Sequence, residues 1–169
     1  MRLFLALWPG KAAQEKLEAQ ARMMAEEFGG RPMPADKIHL TLVFLGELAP
    51  GRGAAAFEVA LANPFTPFRM RLDRWGGFRR SKVGWAGATR TPPALVTLQS
   101  GLEAGLREAG FAIEERPFAP HVTLVRKVER PVAARVMAPV QWQAGSLALV
   151  MTEPGSGKYR TLAETAAEG

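Results

Sequence analysis

Two stretches of the chain, "KIHLTLVFLG" (residues 37–46) and "FAPHVTLVRK" (residues 118–127), share one pattern of histidine, any residue, threonine, leucine and valine. They contain the only two histidines of the chain, His39 and His121. Only nine of the 169 residues are threonine, so a threonine two residues after both histidines is improbable as a coincidence. The pattern therefore indicates a duplicated strand motif whose two copies serve one task.

Strand geometry predicts which side chains of each motif share a face. Residues i and i+2 of a strand point the same way, so His39 lies beside Thr41 and His121 beside Thr123. The opposite faces carry the apolar side chains of Ile38, Leu40, Leu42, Phe44, Val122 and Leu124. We expect the leucine faces to pack against helices and the His-Thr faces to line a cleft.

Two imidazoles and two hydroxyls in one cleft suit a phosphate ester. The ordinary pKa of imidazole is about 6.5, so one ring can accept a proton from water while the other donates one to a leaving alkoxide. The hydroxyls can hydrogen-bond to phosphoryl oxygens and hold the phosphorus between the rings. We expect neither ring to need a large pKa shift, and a bell-shaped pH dependence centred between about pH 6 and 8.

Two other interpretations of the histidines are weaker. A single His-x-Thr-Leu strand is more often a structural histidine than a catalytic one, but the duplication favours catalysis. A zinc site needs a third ligand at a fixed spacing, and neither motif contains Asp or Glu. The chain has no cysteine, which excludes disulfides, thiolate catalysis and cysteine zinc sites. We therefore expect no metal and no cofactor.

Length and charge indicate one globular domain, residues 1–169, with an anionic partner. The net charge of +6 and the pI of about 10.3 favour nucleic acid, a nucleotide or a membrane surface. The apolar run "RLFLAL" (residues 2–7) is too short to span a membrane and no cleavage site follows it, so it predicts a buried first strand. We expect a cytoplasmic protein that binds no membrane.

Hydrophobic periodicity predicts the remaining elements. Apolar residues at helical spacing predict helices over residues 11–28, 53–63 and 93–109. Strands are expected over residues 68–75 and 82–89, and a closing pair of strands over 146–152 and 158–164. A short helix is expected over residues 131–137.

The paired motifs resemble the 2H phosphoesterase superfamily, and most closely its bacterial and archaeal RNA 2′,3′-cyclic phosphodiesterases, also called 2′-5′ RNA ligases. The resemblance spans nearly the whole chain, including "RLFLAL", "HLTLVFLG", "KVGWAG" and "PFAPHVTLVRK". It implies an α+β fold of two pseudo-symmetric lobes, each a mainly antiparallel sheet flanked by helices. It also implies a central cleft lined by the two H-x-T strands, and chemistry without a metal.

The resemblance further implies roles for five residues. His39 and His121 are expected to be the catalytic pair, Thr41 and Thr123 to bind the phosphate, and Arg126 to approach it. Strict alternation puts Arg126 on the leucine face, so a bulge or a strand end is needed there. Within the pair, we expect His121 to activate water and His39 to protonate the leaving ribose oxygen.

Residues 68–85, "FRMRLDRWGGFRRSKVGW", contain six cations, one acid and several aromatic residues. Arginine can contact phosphates and aromatic rings can stack on bases, so Arg79, Arg80, Phe78 and Trp85 are candidate RNA contacts. The alternative is that the tryptophans belong to the core and the arginines form a solvated face.

The sequence thus predicts hydrolysis of an RNA 2′,3′-cyclic phosphate end to a 2′-phosphate, with 2′-5′ ligation as the reverse reaction. Two alternatives stay open: a phosphodiesterase acting on a small cyclic nucleotide or another cyclic phosphate, and a non-catalytic RNA-binding module. Intact histidine and threonine in both motifs favour an enzyme. We expect a monomer whose partner is an RNA end or a cyclic nucleotide.

Overall fold

The computed structural model describes residues 1–166, in which three α-helices, one 3₁₀ helix (Ala35–Lys37) and nine strands are formed. The helices are α1 (Lys11–Phe28), α2 (Arg52–Leu61) and α3 (Pro93–Glu108). The strands are β1 (Arg2–Leu7), β2 (Arg31–Pro32), β3 (Leu40–Glu47), β4 (Phe68–Phe78), β5 (Val83–Gly87), β6 (Val122–Arg126), β7 (Arg135–Ala144), β8 (Ala148–Thr152) and β9 (Tyr159–Glu164). All three long helices predicted from the sequence are confirmed.

The strands form one antiparallel sheet in the order β7-β4-β5-β6-β3-β1-β8-β9, and β2 pairs with β6 outside this path. The two motif strands, β3 and β6, are neighbours at its centre and meet through the single pair Leu40–Val122. Four strands of the path lie on each side of this junction. The predicted α+β class with a mainly antiparallel sheet is confirmed. The pseudo-twofold axis and the single domain over residues 1–169 stay predictions, which the strand order supports.

Strand β1 is buried on both faces, which explains its uninterrupted apolar sequence. Leu3, Leu5 and Leu7 belong to the main core. Phe4 and Ala6 point to the other face, where they form a smaller cluster with residues of β8. The sheet therefore has a second, shallow apolar layer close to the first motif.

The helices pack against the leucine faces of the motif strands. Helix α1 follows β1 but lies against β6 and β7, in the other half of the sheet, whereas α3 lies against β3 and packs on α2. The buried residues of α1 recur at helical spacing; they are Ala13, Leu17, Ala21, Met24 and Phe28. The helices and the leucines share one core. The His-Thr faces therefore lie on the side of the sheet opposite the helices.

Strand β3 contains a β-bulge within the first motif. Its register with β1 skips Leu42, because Thr41 and Val43 pair with consecutive residues of β1. Leu42 and Val43 are consequently both buried, whereas Phe44 is 58% exposed. The prediction that Phe44 lies on the leucine face is wrong, because an extra residue shifts the alternation by one position.

Strand β6 contains the same irregularity at the equivalent position. Its register with β5 skips Leu124, and Thr123 and Val125 pair with consecutive residues of β5. Leu124 and Val125 are both fully buried. The bulge turns Arg126 to the His-Thr face, which removes the conflict between Arg126 and strict alternation.

The predicted short helix over residues 131–137 is wrong. Residues 131–134 have no regular structure, and β7 begins at Arg135. Val140, Trp142 and Ala144 alternate inwards, as a half-buried strand requires. No element was predicted for residues 138–145; Pro139 lies within β7, which is an edge strand, where a missing N–H is tolerated. The predicted closing pair of strands is confirmed as β8 and β9.

The close approach of Gly30 to the second motif strand yields a stability prediction. Gly30 has a φ of +98°, and a Cβ there would come 2.6 Å from the carbonyl oxygen of Arg126. Gly155 has a φ of +80°, and its Cβ would meet nothing within 4 Å. We expect Gly30→Ala to lower the free energy of unfolding by about 1–3 kcal/mol more than Gly155→Ala, since only the first also forces backbones apart. Urea denaturation measures both values, and equal losses would contradict the prediction.

Candidate active site

His39 lies one residue before β3, and hydrogen bonds fix both nitrogens of its ring. Nδ1 lies 2.7 Å from the carbonyl oxygen of Lys37. A carbonyl can only accept, so Nδ1–H donates and the neutral ring carries its lone pair on Nε2. The hydroxyl of Thr41 lies 2.9 Å from Nε2 and donates to it. The H-x-T spacing therefore places a hydroxyl directly on the imidazole.

Three aromatic rings enclose the imidazole of His39. Phe4 stacks on it at a centroid distance of 4.9 Å, and Trp8 and Tyr159 approach edge-on at 5.4 and 5.2 Å. Trp8 is itself held by its Nε1–H, which donates to the hydroxyl of Thr161 at 3.1 Å. Burial lowers the pKa of His39 to about 4, so the ring is neutral at pH 7. The prediction that neither ring needs a large pKa shift is wrong for His39.

His121 has the same local geometry in a more open setting. It also precedes its strand by one residue, and its Nδ1–H donates to the carbonyl oxygen of Ala119 at 2.8 Å. One aromatic ring, that of Phe78, contacts it edge-on at 4.9 Å. Burial is the main cause that lowers the pKa of His121, and the charges of Arg116 and Arg126 lower it further. Within residues 1–166, Nε2 of His121 has no hydrogen-bond partner.

One cavity of about 520 Å³ brings together the five residues assigned from the resemblance. His39, Thr41, His121, Thr123 and Arg126 all line it. Arg126 shares the cavity with both histidines, and its positive charge contributes to lowering the pKa of each ring. The arrangement can hold an anion between two imidazoles, with hydroxyls and a guanidinium to bind its oxygens.

Several cavity residues were not predicted from the sequence. Lys37 and Arg2 line the cavity, and none of its described lining residues is acidic. The ammonium of Lys37 lies 4.6 Å from the ring centroid of Tyr159. Lys37 ends a short 3₁₀ helix (Ala35–Lys37) two residues before His39, so strand alternation does not predict its position. Tyr159 comes from β9 and had no sequence signal.

The candidate RNA contacts lie beside this cavity rather than in it. Phe78 and Trp85 contact each other at a centroid distance of 5.7 Å, and Phe78 reaches His121. Arg79 and Arg80 are exposed in the turn between β4 and β5. None of the four lines the cavity, and their contact with RNA stays a prediction.

The rest of the basic segment is divided between core and surface. Trp75 is 2% exposed and its Nε1–H donates to the side chain of Gln20 at 3.0 Å, which confirms the core alternative for this tryptophan. Arg71 is paired with Asp73 at 2.6 Å. Arg74 lies over the ring of Trp85, 5.6 Å from its centroid.

Within residues 1–166, no three His, Asp or Glu side chains are grouped so that they could hold a metal ion. No helix there is long and apolar enough to cross a membrane. Chemistry without a metal stays a prediction.

Burial of a neutral His39 predicts that acid destabilises the protein. The pKa of a histidine is about 6.5 when unfolded and about 4 for His39 in the fold. The unfolded state therefore binds more protons between these values, and stability falls as the pH drops through this window. We expect the wild type to lose roughly 3 kcal/mol more than His39→Gln between pH 7 and pH 4. Urea denaturation at both pH values measures this, and equal losses would contradict it.

Comparison with known proteins identifies the family. The family model for the 2′-5′ RNA ligase superfamily matches residues 9–154. The RNA 2′,3′-cyclic phosphodiesterase of Escherichia coli is 34% identical, over 78% of this chain and 74% of its own length. The protein of the same name from Thermus thermophilus is 33% identical, over 90% of this chain and 82% of its own length.

Solved structures agree with this assignment. Escherichia coli LigT complexed with 3′-AMP has a TM-score of 0.90 at 28% identity, covering 99% of this chain and 98% of that one. A Thermus thermophilus protein has a TM-score of 0.82 at 30% identity, covering 100% and 99%. The family model spans most of the chain and the structural likeness spans nearly all of it. The chain therefore belongs to the 2′-5′ RNA ligase superfamily, as the paired motifs indicated.

Proposed function

We propose that this protein hydrolyses the 2′,3′-cyclic phosphate of RNA ends to a 2′-phosphate without a metal. One observation carries the proposal: His39, His121, Thr41, Thr123 and Arg126 line a single cavity, and none of its lining residues within 1–166 is acidic. The names of the relatives from Escherichia coli and Thermus thermophilus support the choice of substrate. Joining RNA ends through a 2′-5′ bond would open the same cyclic phosphate with the 5′-hydroxyl of a second RNA end in place of water.

The cavity residues suggest how the reaction proceeds. Arg126 neutralises the phosphate, and the hydroxyls of Thr41 and Thr123 hold its non-bridging oxygens. For this the Thr41 hydroxyl turns its proton from Nε2 of His39 to the phosphate, which frees the lone pair of that nitrogen. The oxygen of a water attacks phosphorus and gives its proton to one imidazole, while the bond from phosphorus to O3′ breaks. The other imidazole donates a proton to O3′, so the product is a 2′-phosphate with a free 3′-hydroxyl.

We assign the base to His39 and the acid to His121, which reverses the sequence-based assignment. His39 is the more deeply buried ring, and its pKa of about 4 keeps it neutral. Its lone pair lies on Nε2, because Nδ1–H donates to Lys37. His121 also holds Nδ1–H on a carbonyl, so its second proton binds Nε2, where a donor to the leaving oxygen is needed.

The alternatives are a cyclic nucleotide or another cyclic phosphate as the substrate, and a non-catalytic RNA-binding module. The monomeric state, the cytoplasmic location and the RNA contacts at Phe78, Arg79, Arg80 and Trp85 are retained as part of the proposal. An RNA substrate would extend beyond the cavity to these four residues, whereas a mononucleotide would lie inside the cavity.

The direct test is a short RNA with a 2′,3′-cyclic phosphate end, incubated in EDTA, with the position of the product phosphate determined. We expect a 2′-phosphate, and a loss of about 10²- to 10⁴-fold in kcat for His39→Ala and for His121→Ala. The double variant should lose little more, because the two rings act as a unit. Circular dichroism controls for folding. Activity that EDTA abolishes and zinc or manganese restores would overturn the proposal, as would near-normal turnover by either folded single variant.

The lowered histidine pKa values also predict the pH profile. The pH dependence of kcat/KM reports the free enzyme, in which the pKa of His39 is about 4 and that of His121 lies below 6.5. We expect kcat/KM to peak between these limits, below the range of pH 6–8 expected from the sequence. The two limbs belong to the pair as a whole. A bound phosphate anion raises both pKa values, so the kcat profile should lie at higher pH. A kcat/KM maximum above pH 7 would contradict this.

A further inference from the structure

Two cationic side chains of the cavity have no role in the proposed reaction. Arg2 and Lys37 line the cavity together with Arg126. Within residues 1–166, none of these three side chains forms an ion pair with a carboxylate. Their positive charges are therefore not balanced inside the protein.

The charge of the cavity exceeds that of one cyclic phosphate. A 2′,3′-cyclic phosphate is a phosphodiester and carries a single negative charge. Arg126 alone can balance this charge, and no lining residue within 1–166 is acidic. Arg2 and Lys37 thus add a surplus of positive charge to the same cavity. A cleft lined by charges of one sign attracts ligands of the opposite sign, so this surplus points to a second anionic group on the substrate.

The surplus cations lie on one wall of the cavity, at the strands β1, β8 and β9. Arg2 pairs with Thr152 across β1 and β8, and Thr152 pairs with Tyr159 across β8 and β9. Lys37 reaches this row from the 3₁₀ helix before His39, since its ammonium lies 4.6 Å from the ring centroid of Tyr159. We call these four residues, which all line the cavity, the β1–β9 wall. Guanidinium, ammonium and hydroxyl groups are the donors that bind phosphate oxygens.

The β1–β9 wall is separate from the side of the cavity that holds Arg126. Arg126 belongs to β6, and β3, which carries Thr41, lies between β6 and β1 in the sheet. The reacting phosphate binds beside Thr41 and the histidines in the proposed mechanism. The two groups of cations therefore flank this position from opposite sides, and a second phosphate at the wall does not compete with the first.

The two acids next to this wall bind other groups. The carboxylate of Glu47 lies 3.1 Å from the terminal ammonium of Met1. The carboxylate of Glu153 accepts a hydrogen bond from the hydroxyl of Ser156 at 3.2 Å. Neither acid lines the cavity. The positive charges of the wall are therefore available to a ligand.

We propose that the β1–β9 wall binds a second phosphate, the internucleotide phosphate on the 5′ side of the nucleoside that carries the cyclic phosphate. The inference rests on the proposed function and narrows its substrate class to nucleotides that have this phosphate. A nucleoside 2′,3′-cyclic phosphate without a 5′-phosphate leaves Arg2 and Lys37 without a partner. The 5′-phosphate of a single nucleotide occupies the same position as the internucleotide phosphate, so the wall accepts it as well.

The test compares two dinucleotides that end in the same 2′,3′-cyclic phosphate. One has an ordinary internucleotide phosphate, and the other has a neutral methylphosphonate of similar shape in its place. We expect the wild type to have a kcat/KM roughly 10- to 100-fold higher on the charged dinucleotide, as hydrogen bonds between charged groups allow. Lys37→Gln and Arg2→Gln should each reduce this preference, and the double variant should abolish it.

Arg160→Gln is the matched control for the loss of a positive charge. Arg160 is an exposed cation that follows Tyr159 in β9, and it does not line the cavity. This variant should keep the preference for the charged dinucleotide, and circular dichroism controls for folding in all variants. Equal turnover of the two dinucleotides by the wild type would overturn the inference and leave the hydrolytic activity standing. A preference that persists in the double variant would overturn it as well.

Calorimetric binding needs no turnover and separates this inference from the proposed reaction. Adenosine 2′-monophosphate carries only the phosphate of the product, whereas adenosine 2′,5′-bisphosphate adds a phosphate at the position of the internucleotide phosphate. We expect the wild type to bind the bisphosphate roughly 10- to 100-fold more tightly, and the double variant to bind both with equal affinity. This result would support the second phosphate subsite even if no hydrolysis were observed. A gain in affinity that survives in the double variant would overturn the inference even if hydrolysis were observed.

Discussion

The pairing of Leu40 with Val122 is the contact on which the site depends. It joins two antiparallel strands through a single residue pair, so the residues on either side of it face each other in a defined order. Continued by one residue, the same register sets His39 beside Thr123 and His121 beside Thr41. All four side chains then lie on the face opposite the two paired residues, because neighbours along a strand alternate. A junction of this kind makes an imidazole–hydroxyl quartet from two copies of one short motif.

The two copies acquire different properties from their surroundings. His39 is enclosed by rings from β1, its following loop and β9, whereas one ring, that of Phe78, contacts His121. Burial penalises the charged form of an imidazole, so identical motifs give rings of unequal basicity. Unequal basicity favours acid–base catalysis by a pair of like groups, since one ring must be protonated while the other is not. In the proposed mechanism, the apolar layer around Phe4 therefore sets the basicity of His39 as well as filling space.

Prediction from sequence succeeded where the signal is local. Helical spacing in α1 and α3, the apolar run of β1 and the spacing of the H-x-T motifs each lie within a few turns or residues. Prediction failed where the structure of a segment depends on the strand paired with it. Strand β7 was not predicted; it contains Pro139, which a strand accepts only where the sheet leaves that N–H position unpaired, as at this edge. Phe44 was placed on the wrong face because a bulge is a property of two paired strands.

The sequence by itself determined which residues are candidates for the chemistry: two histidines, two threonines and a following arginine in a basic chain without cysteine. These are identities and short spacings, and strand alternation converts them directly into shared faces. Only the tertiary structure decided that Phe44 and Arg126 enter the cleft, that Tyr159 and Lys37 complete its wall, and that the pKa of His39 falls to about 4. Strand register and burial arise from contacts between segments far apart in the chain, and no local pattern encodes them.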